Sequence, residues 1–378
     1  MAAIILDGNL YAAQIKSEVA DEVQLLAATS GIRPGLAAVL VGENPASQTY
    51  VRSKVRACEQ LGIFSELITP PESSTTEELI AIVEQLNQRD EIDGILVQLP
   101  LPAHVDSKRV LLAVSPEKDV DGFHPVNVGN LSTQRPGLVP CTPAGCMEIL
   151  RRANIAIEGQ EAVIVGRSDI VGKPLAMLLT NANATVTICH SRTRDLPAVC
   201  RRGDILVAAI GRPGFITTEF VKPGSTILDV GINHINDPVL FERFFKGDAK
   251  REKQFAEKGS TIIGDCDPRV ARMAGAVTPV PGGVGKLTIA MLMSNTVKAA
   301  KLRRLAPSDA SETRASATGS AALPSPASAT GSVALPSPAS ATGSAALPSP
   351  ASATGSAALP SPASATGSAA LPSHAVKS

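Results

Sequence analysis

The chain has 378 residues with 35 basic and 35 acidic side chains, so no net charge exists to draw in a nucleic acid or an anionic membrane. At roughly 100 to 200 residues per domain, that length predicts two domains and an extra segment. No run reaches the ~20 apolar residues of a membrane span, the apolar start lacks the basic leader of a secretory signal, and six scattered cysteines without C-x-x-C pairing predict reduced thiols in a cytoplasmic protein.

In chain order, residues 37–42 (AAVLVG) read as a buried strand, and residues 47–61 place their apolar side chains at helical spacing. That helix sets Tyr50 and Lys54 four apart on one face. Residues 92–99 (IDGILVQL) predict a further strand, ended by Pro100 and Pro102 because proline cannot donate to a ladder. Gln98 falls at its carboxyl end, where open α/β sheets place their ligands. The loop PEKDVDGFHPVN brings in Asp119 and Asp121, and a first α/β domain is expected to close at residue 121.

Residues 122–286 predict a second α/β domain. Its short apolar strands, at 162–166, 185–189, 205–209 and 226–230, arrive at the pace of a doubly wound sheet, with a helix at 173–181. The side-chain-poor turn TPVPGGVG, residues 278–285, suits backbone contact with a flat ligand. A helical run at 287–305 is expected to cross back and complete the first domain. Beyond it, a twelve-residue unit (ATGSAALPSPAS) recurs, with too little apolar surface to stack as a solenoid or to offset its ordering entropy. Residues 306–378 are therefore expected to form a disordered tail.

The run from Gly166 through Arg167, Ser168, Gly172 and Lys173 to Pro174 links a buried strand to a helix. Its glycines permit a tight turn and close approach to a pyrophosphate, and the helix start is expected to offer free N–H donors. Pro174 suits the first helical turn. After the next strand comes His190-Ser191-Arg192-Thr193-Arg194, with no acid before Asp195, which favours the 2′-phosphate of NADP over the ribose of NAD. The second domain thus reads as Rossmann-like and NADP-binding, with a cleft between the two domains. Tyr50 and Lys54 also have the spacing of short-chain dehydrogenases, but they precede the glycine turn by more than a hundred residues, which is the wrong order. Lys286 is followed by Leu287 rather than Ser or Thr, which excludes a P-loop. His124 and His190 read as polar loop residues, and no metal is expected.

With YVRSK, DGILVQLPLP, KDVDGFHPVNVGNL, PCTPAG, VIVGRSDIVGKP, DVGIN and TPVPGGVG in this order, the chain resembles the bacterial FolD family from near its start to about residue 300. These are bifunctional methylenetetrahydrofolate dehydrogenases and methenyltetrahydrofolate cyclohydrolases. The resemblance implies NADP-dependent oxidation of methylenetetrahydrofolate and hydrolysis of the methenyl product to formyltetrahydrofolate. It implies that Tyr50 stacks on the folate's aminobenzoyl ring, that Lys54 is the catalytic lysine, that Gln98 tunes it and that Asp121 grips the pterin. Val97, Leu99, Pro279, Val280, Pro281, Gly282 and Gly283 would line the folate side. Thr142, Gly166, Arg167, Ser168, Gly172, Pro174, Ser191, Arg192 and Ile232 would contact NADP. A homodimer is implied, with no nucleic-acid or membrane partner.

Two features depart from the family pattern. Lys286-Leu287 stands where the family has Pro-Met, and residues 234–260 run longer than the family's segment, as a surface insertion would. The departures keep two alternatives open: a monofunctional dehydrogenase with weak cyclohydrolase, and a non-catalytic NADP-binding protein.

Overall fold

The computed structural model describes residues 3–305; the repeat segment expected to be a disordered tail lies outside the described residues. β1 (Ile4–Ile5) leads into α1 (Gly8–Ser30), which Asp7 caps by accepting from the Asn9 amide and which Gly31 ends at φ 64°. Next come β2 (Gly35–Val39), α2 (Pro45–Leu61), β3 (Phe64–Ile68), α3 (Thr76–Asn87) and β4 (Gly94–Val97). Thr75 and Glu78 open α3 with a reciprocal capping box. Three helices follow: α4 (Ser107–Ala113), α5 (Pro125–Ser132) and α6 (Cys141–Arg152).

The second half alternates β5 (Glu161–Val165), α7 (Gly172–Asn181), β6 (Thr185–Cys189), α8 (Leu196–Cys200), β7 (Ile205–Ala208) and β8 (Thr226–Asp229). Then come β9 (Asn233–Ile235), α9 (Pro238–Phe245), α10 (Ala249–Lys258), β10 (Thr261–Ile263), β11 (Ala276–Val277) and α11 (Val284–Arg304).

A parallel sheet in the order β3-β2-β4 forms one lobe, and a parallel six-stranded sheet in the order β1-β11-β8-β7-β5-β6 forms the other. The apolar runs thus became strands, shorter than expected where pairing thins out. Residues 40–42 keep only Leu40 N to Ile68 O and Gly42 N to Pro70 O beyond the ladder of β2. The lobes also interleave. β1, expected in the first domain, pairs with β11 in the second sheet, Ile4 opposite Ala276. In return, α11 packs on α1, α2 and α6 and reaches β2 and β4, so one apolar cluster runs from Leu6 and Leu36 through Ile149 to Ile164 and Leu287.

Residues 234–260, with the flanking ends of β9 and β10, fold into a small unit with its own core. β9 and β10 pair antiparallel, and Ile235, Phe241, Phe245 and Ile263 cluster beneath them. Phe241 stacks on Phe255 at 4.3 Å between ring centroids. The residues AKREKQFAEK, rich in basic and acidic side chains, form α10, which Gly259 at φ 65° terminates.

Candidate active site

α2 follows the carboxyl end of β2 and turns Val51, Lys54 and Cys58 inward, a spacing that gives one helical face. Lys54 therefore occupies a core-facing position, 6% exposed, while Tyr50 stands at the rim, 39% exposed. The Lys54 ammonium donates to Gln98 Oε1 at 2.9 Å and lies 5.5 Å from the centre of the Tyr50 ring. Gln98 donates through Nε2 to the Leu99 carbonyl at 2.7 Å, which turns its Oε1 toward the lysine. Burial lowers the pKa of Lys54, and the charge of Asp121 opposes that shift. Burial likewise raises Asp121 to about 6 against the pull of Lys54, with Asp119 adding to the rise. The two groups therefore share one desolvated site, and each charge opposes the shift that burial imposes on the other.

The rest of the KDVDG segment supports this pair. Lys118 is buried and donates to the carbonyls of Leu86, Asn87 and Arg89, ending α3 with a cation where the helix dipole is negative. Asp119 accepts from the His124 amide and from Asn127 Nδ2. Asp121 accepts no hydrogen bond from a described residue, which leaves its oxygens for a ligand. Asn295 of α11 donates to the carbonyls of Val120 and Val139, each at 2.8 Å, and fixes the backbone beside Asp121. Cys141 donates to the Val120 carbonyl, and burial raises its thiol far above reactivity. Val97 departs from the expected lining, because it is buried and its side chain packs in the core with Val39 and Leu79.

On the nucleotide side, Gly166 ends β5 at φ 134°, and a Cβ there would lie 2.1 Å from the Ala209 carbonyl oxygen. At Gly172 a Cβ would lie 2.2 Å from the Gly166 carbonyl oxygen, so both positions demand glycine. Ser168 takes up part of the expected anion site. Its Oγ accepts from the amides of Val171 and Gly172, and its carbonyl accepts from the Lys173 amide. The amides left without a described acceptor are therefore in the exposed loop of Arg167, Ser168, Asp169 and Ile170 rather than in the first turn of α7, where Pro174 is buried. Ser191 and Arg192 are exposed after β6, and the Arg192 guanidinium pairs with no described residue. The His190 ring accepts from the Arg192 amide, and the His124 ring accepts from the Val126 amide. Among the described residues no group of three or more His, Cys, Asp and Glu could hold a metal ion.

The two halves meet across α6 and α11. Thr142, next to Cys141, lies 3.2 Å from the Thr288 hydroxyl. One turn earlier, a Cβ on Gly285 would sit 3.0 Å from Ile232 Cδ1. Ile232 is held there by two buried acids. Asp229 accepts from the amides of Gly231, Asp265 and Cys266; Asp265 accepts from those of Ile210, Gly211 and Arg212 and from Asn233 Nδ2. The turn of Pro279, Val280, Pro281, Gly282 and Gly283 is anchored at Gly282, whose carbonyl accepts from the Gly8 amide at 2.8 Å. Lys286 is exposed, and although its amide donates to the Gly283 carbonyl, its ammonium makes no hydrogen bond or ion pair with a described residue.

Sequence reasoning missed Lys118, Asn295 and Arg251, which donates to the Val280 carbonyl. Each bonds to backbone carbonyls distant in sequence, a partnership that no spacing announces.

Comparison with known proteins agrees along the same stretch. The profile for the tetrahydrofolate dehydrogenase/cyclohydrolase catalytic domain matches residues 6–121, and that for the NAD(P)-binding domain of the same family matches residues 140–304. The bifunctional protein FolD of Koribacter versatilis is 73% identical over 304 residues, covering 80% of this chain and 99% of that protein. That of Solibacter usitatus is 60% identical over 300 residues, covering 79% and 98%. Among solved structures, FolD of Campylobacter jejuni superposes with a TM-score of 0.72 at 44% identity, covering 80% of this chain and all of that one. The Trypanosoma brucei dehydrogenase-cyclohydrolase, solved with NADP cofactor and inhibitor, gives 0.72 at 39% identity, covering 81% and 100%.

Proposed function

Because the chain belongs to the tetrahydrofolate dehydrogenase/cyclohydrolase family, its reactions are NADP-dependent oxidation of methylenetetrahydrofolate and hydrolysis of the methenyl product, and we propose that Lys54 serves both. The observation that carries this reading is the buried Lys54–Gln98 hydrogen bond beside Asp121.

In this reading Tyr50 offers a flat aromatic face at the cleft rim, and Asp121 accepts from pterin N–H groups. The backbone of the turn from Pro279 to Gly283 lines the opposite side, with Leu99 at the floor. The Gly166–Gly172 loop, Ser191 and Arg192 fit the phosphates of NADP, and Thr142 and Ile232 flank the place where the dinucleotide reaches the folate. Bound by these residues, NADP would supply the hydride acceptor. Loss of hydride leaves a cationic methenyl group, which disfavours the ammonium form of Lys54 as burial already does. The neutral amine, aimed by Gln98, then accepts a proton from the water that attacks the methenyl carbon. A homodimer in the cytoplasm is carried by the same reading, and sedimentation of the purified chain tests the dimer.

The test is product analysis with methylenetetrahydrofolate and NADP. Wild type should form NADPH and then the formyl product, whereas Lys54→Met should lose methenyl hydrolysis by about 10²-fold or more while keeping its affinity for NADP. A folded wild-type chain without turnover, or undiminished hydrolysis in the variant, would sink the assignment.

A further inference from the structure

We infer that Arg251 is a positioning residue for folate: carried on α10, it fixes the turn from Pro279 to Gly283 against the Lys54 side of the cleft. The inference rests on the functional reading above. It explains why a segment that looks like a surface insertion folds back toward the site.

α10 buries none of its residues fully, and it is strongly polar. Arg251, the third residue of that helix, nevertheless turns inward. Its Nη1 donates to Thr261 Oγ1 at 3.1 Å and to the Ile262 carbonyl at 3.0 Å, and its Nη2 donates to the Val280 carbonyl at 2.6 Å. The guanidinium carbon lies 4.8 Å from the centre of the Phe245 ring, so the plane is fixed from one side as well. Among the described residues no carboxylate forms an ion pair with it. The fork is therefore committed to backbone carbonyls of two separate segments, a span that a lysine's single ammonium cannot reproduce.

Val280 stands between Pro279 and Pro281, in a turn whose remaining residues are glycines, so side-chain packing does little to hold it. Its other anchor is the Gly8 amide on Gly282. Behind it lies a cavity of about 260 Å³, lined by Phe245, Arg251, Asp267, Val277, Pro279 and Val280. Without the guanidinium the turn has room to retreat. The effect should fall on folate and spare NADP, because the Gly166 loop and Arg192 follow β5 and β6 at the far edge of the sheet.

The experiment measures steady-state kinetics and NADP affinity for Arg251→Ala and Arg251→Lys, with thermal melting of each. Both variants should raise KM for methylenetetrahydrofolate about tenfold, with kcat and the NADP dissociation constant within about twofold of wild type. Millimolar methylguanidine should restore the KM of Arg251→Ala. An unchanged folate KM in either folded variant overturns the inference, as does a parallel loss of NADP affinity. If Arg251→Ala does not fold, Arg251→Lys alone decides by the same split. A wild-type chain without folate turnover would instead remove the functional reading itself.

Discussion

At Asp121, burial and charge act in opposite directions, and the balance is measurable. The folded carboxyl keeps its proton up to about pH 6, whereas its ordinary value is 3.8. Ionisation between those values therefore favours the unfolded chain, which binds fewer protons there. The penalty is absent below about 3.8 and complete above about 6. Asp121→Asn, which mimics the protonated acid, should match wild type in stability near pH 4 and exceed it at pH 7 by roughly 1–2 kcal/mol, since water reaching the half-buried group softens the penalty. Urea unfolding at both pH values checks this, and an equal difference at the two would refute it. On the proposed role of Asp121 as pterin acceptor, the gain in stability should come with a loss of folate binding.

At the scale of elements, α11 acts as the strut between the lobes. Asn295 donates to the Val120 and Val139 carbonyls, which flank the approach to Asp121 and Cys141. Asn295→Leu fills the same volume but leaves the Val139 carbonyl undonated and the Val120 carbonyl with only the weak Cys141 thiol donor, at a cost of about 1–3 kcal/mol. It should also raise KM for folate, because the backbone at Val120 is freed next to Asp121, the proposed pterin acceptor. Denaturation and kinetics on one preparation check both effects, and a variant that is destabilised with unaltered KM would show that the strut does not reach the site. The helix itself was legible in its apolar period, as were β2, β4, β5 and β6. Tyr50, Lys54, Gln98 and Asp121 were legible as a set because their motifs stand in a recognisable order. Asn295 was not, since its partners lie 175 and 156 residues away, and neither was the core-facing side chain of Val97, since a buried strand shows no alternation to tell its faces apart.

Across the whole molecule, the two lobes were readable from alternating strands and helices, but their interleaving was not. β1 is two residues long, too short to carry a period, and its pairing with β11 joins positions more than 270 apart. The other end of the described chain closes the structure by charge. Asp93 is fully buried, accepts from the Gly35 amide, and is held by Arg303 and Arg304 at the end of α11, at 2.7 and 2.8 Å. The family match stops at residue 304, and the Campylobacter jejuni enzyme is matched over its whole length by 80% of this chain. Two truncations should therefore part company. Ending the chain after Leu305 removes the repeats and should leave both activities within about twofold of the full-length protein. Ending it after Leu302 strips Asp93 of both guanidinium partners and leaves a buried acid uncompensated, at a cost of about 3–5 kcal/mol. Thermal melting and NADPH formation on the two shortened chains decide the matter. Loss of activity on removal of the repeats alone would give that segment a part in catalysis, and a chain ending at residue 302 that melts like the longer one would deny the Asp93 cluster its role in joining the end of α11 to the first sheet.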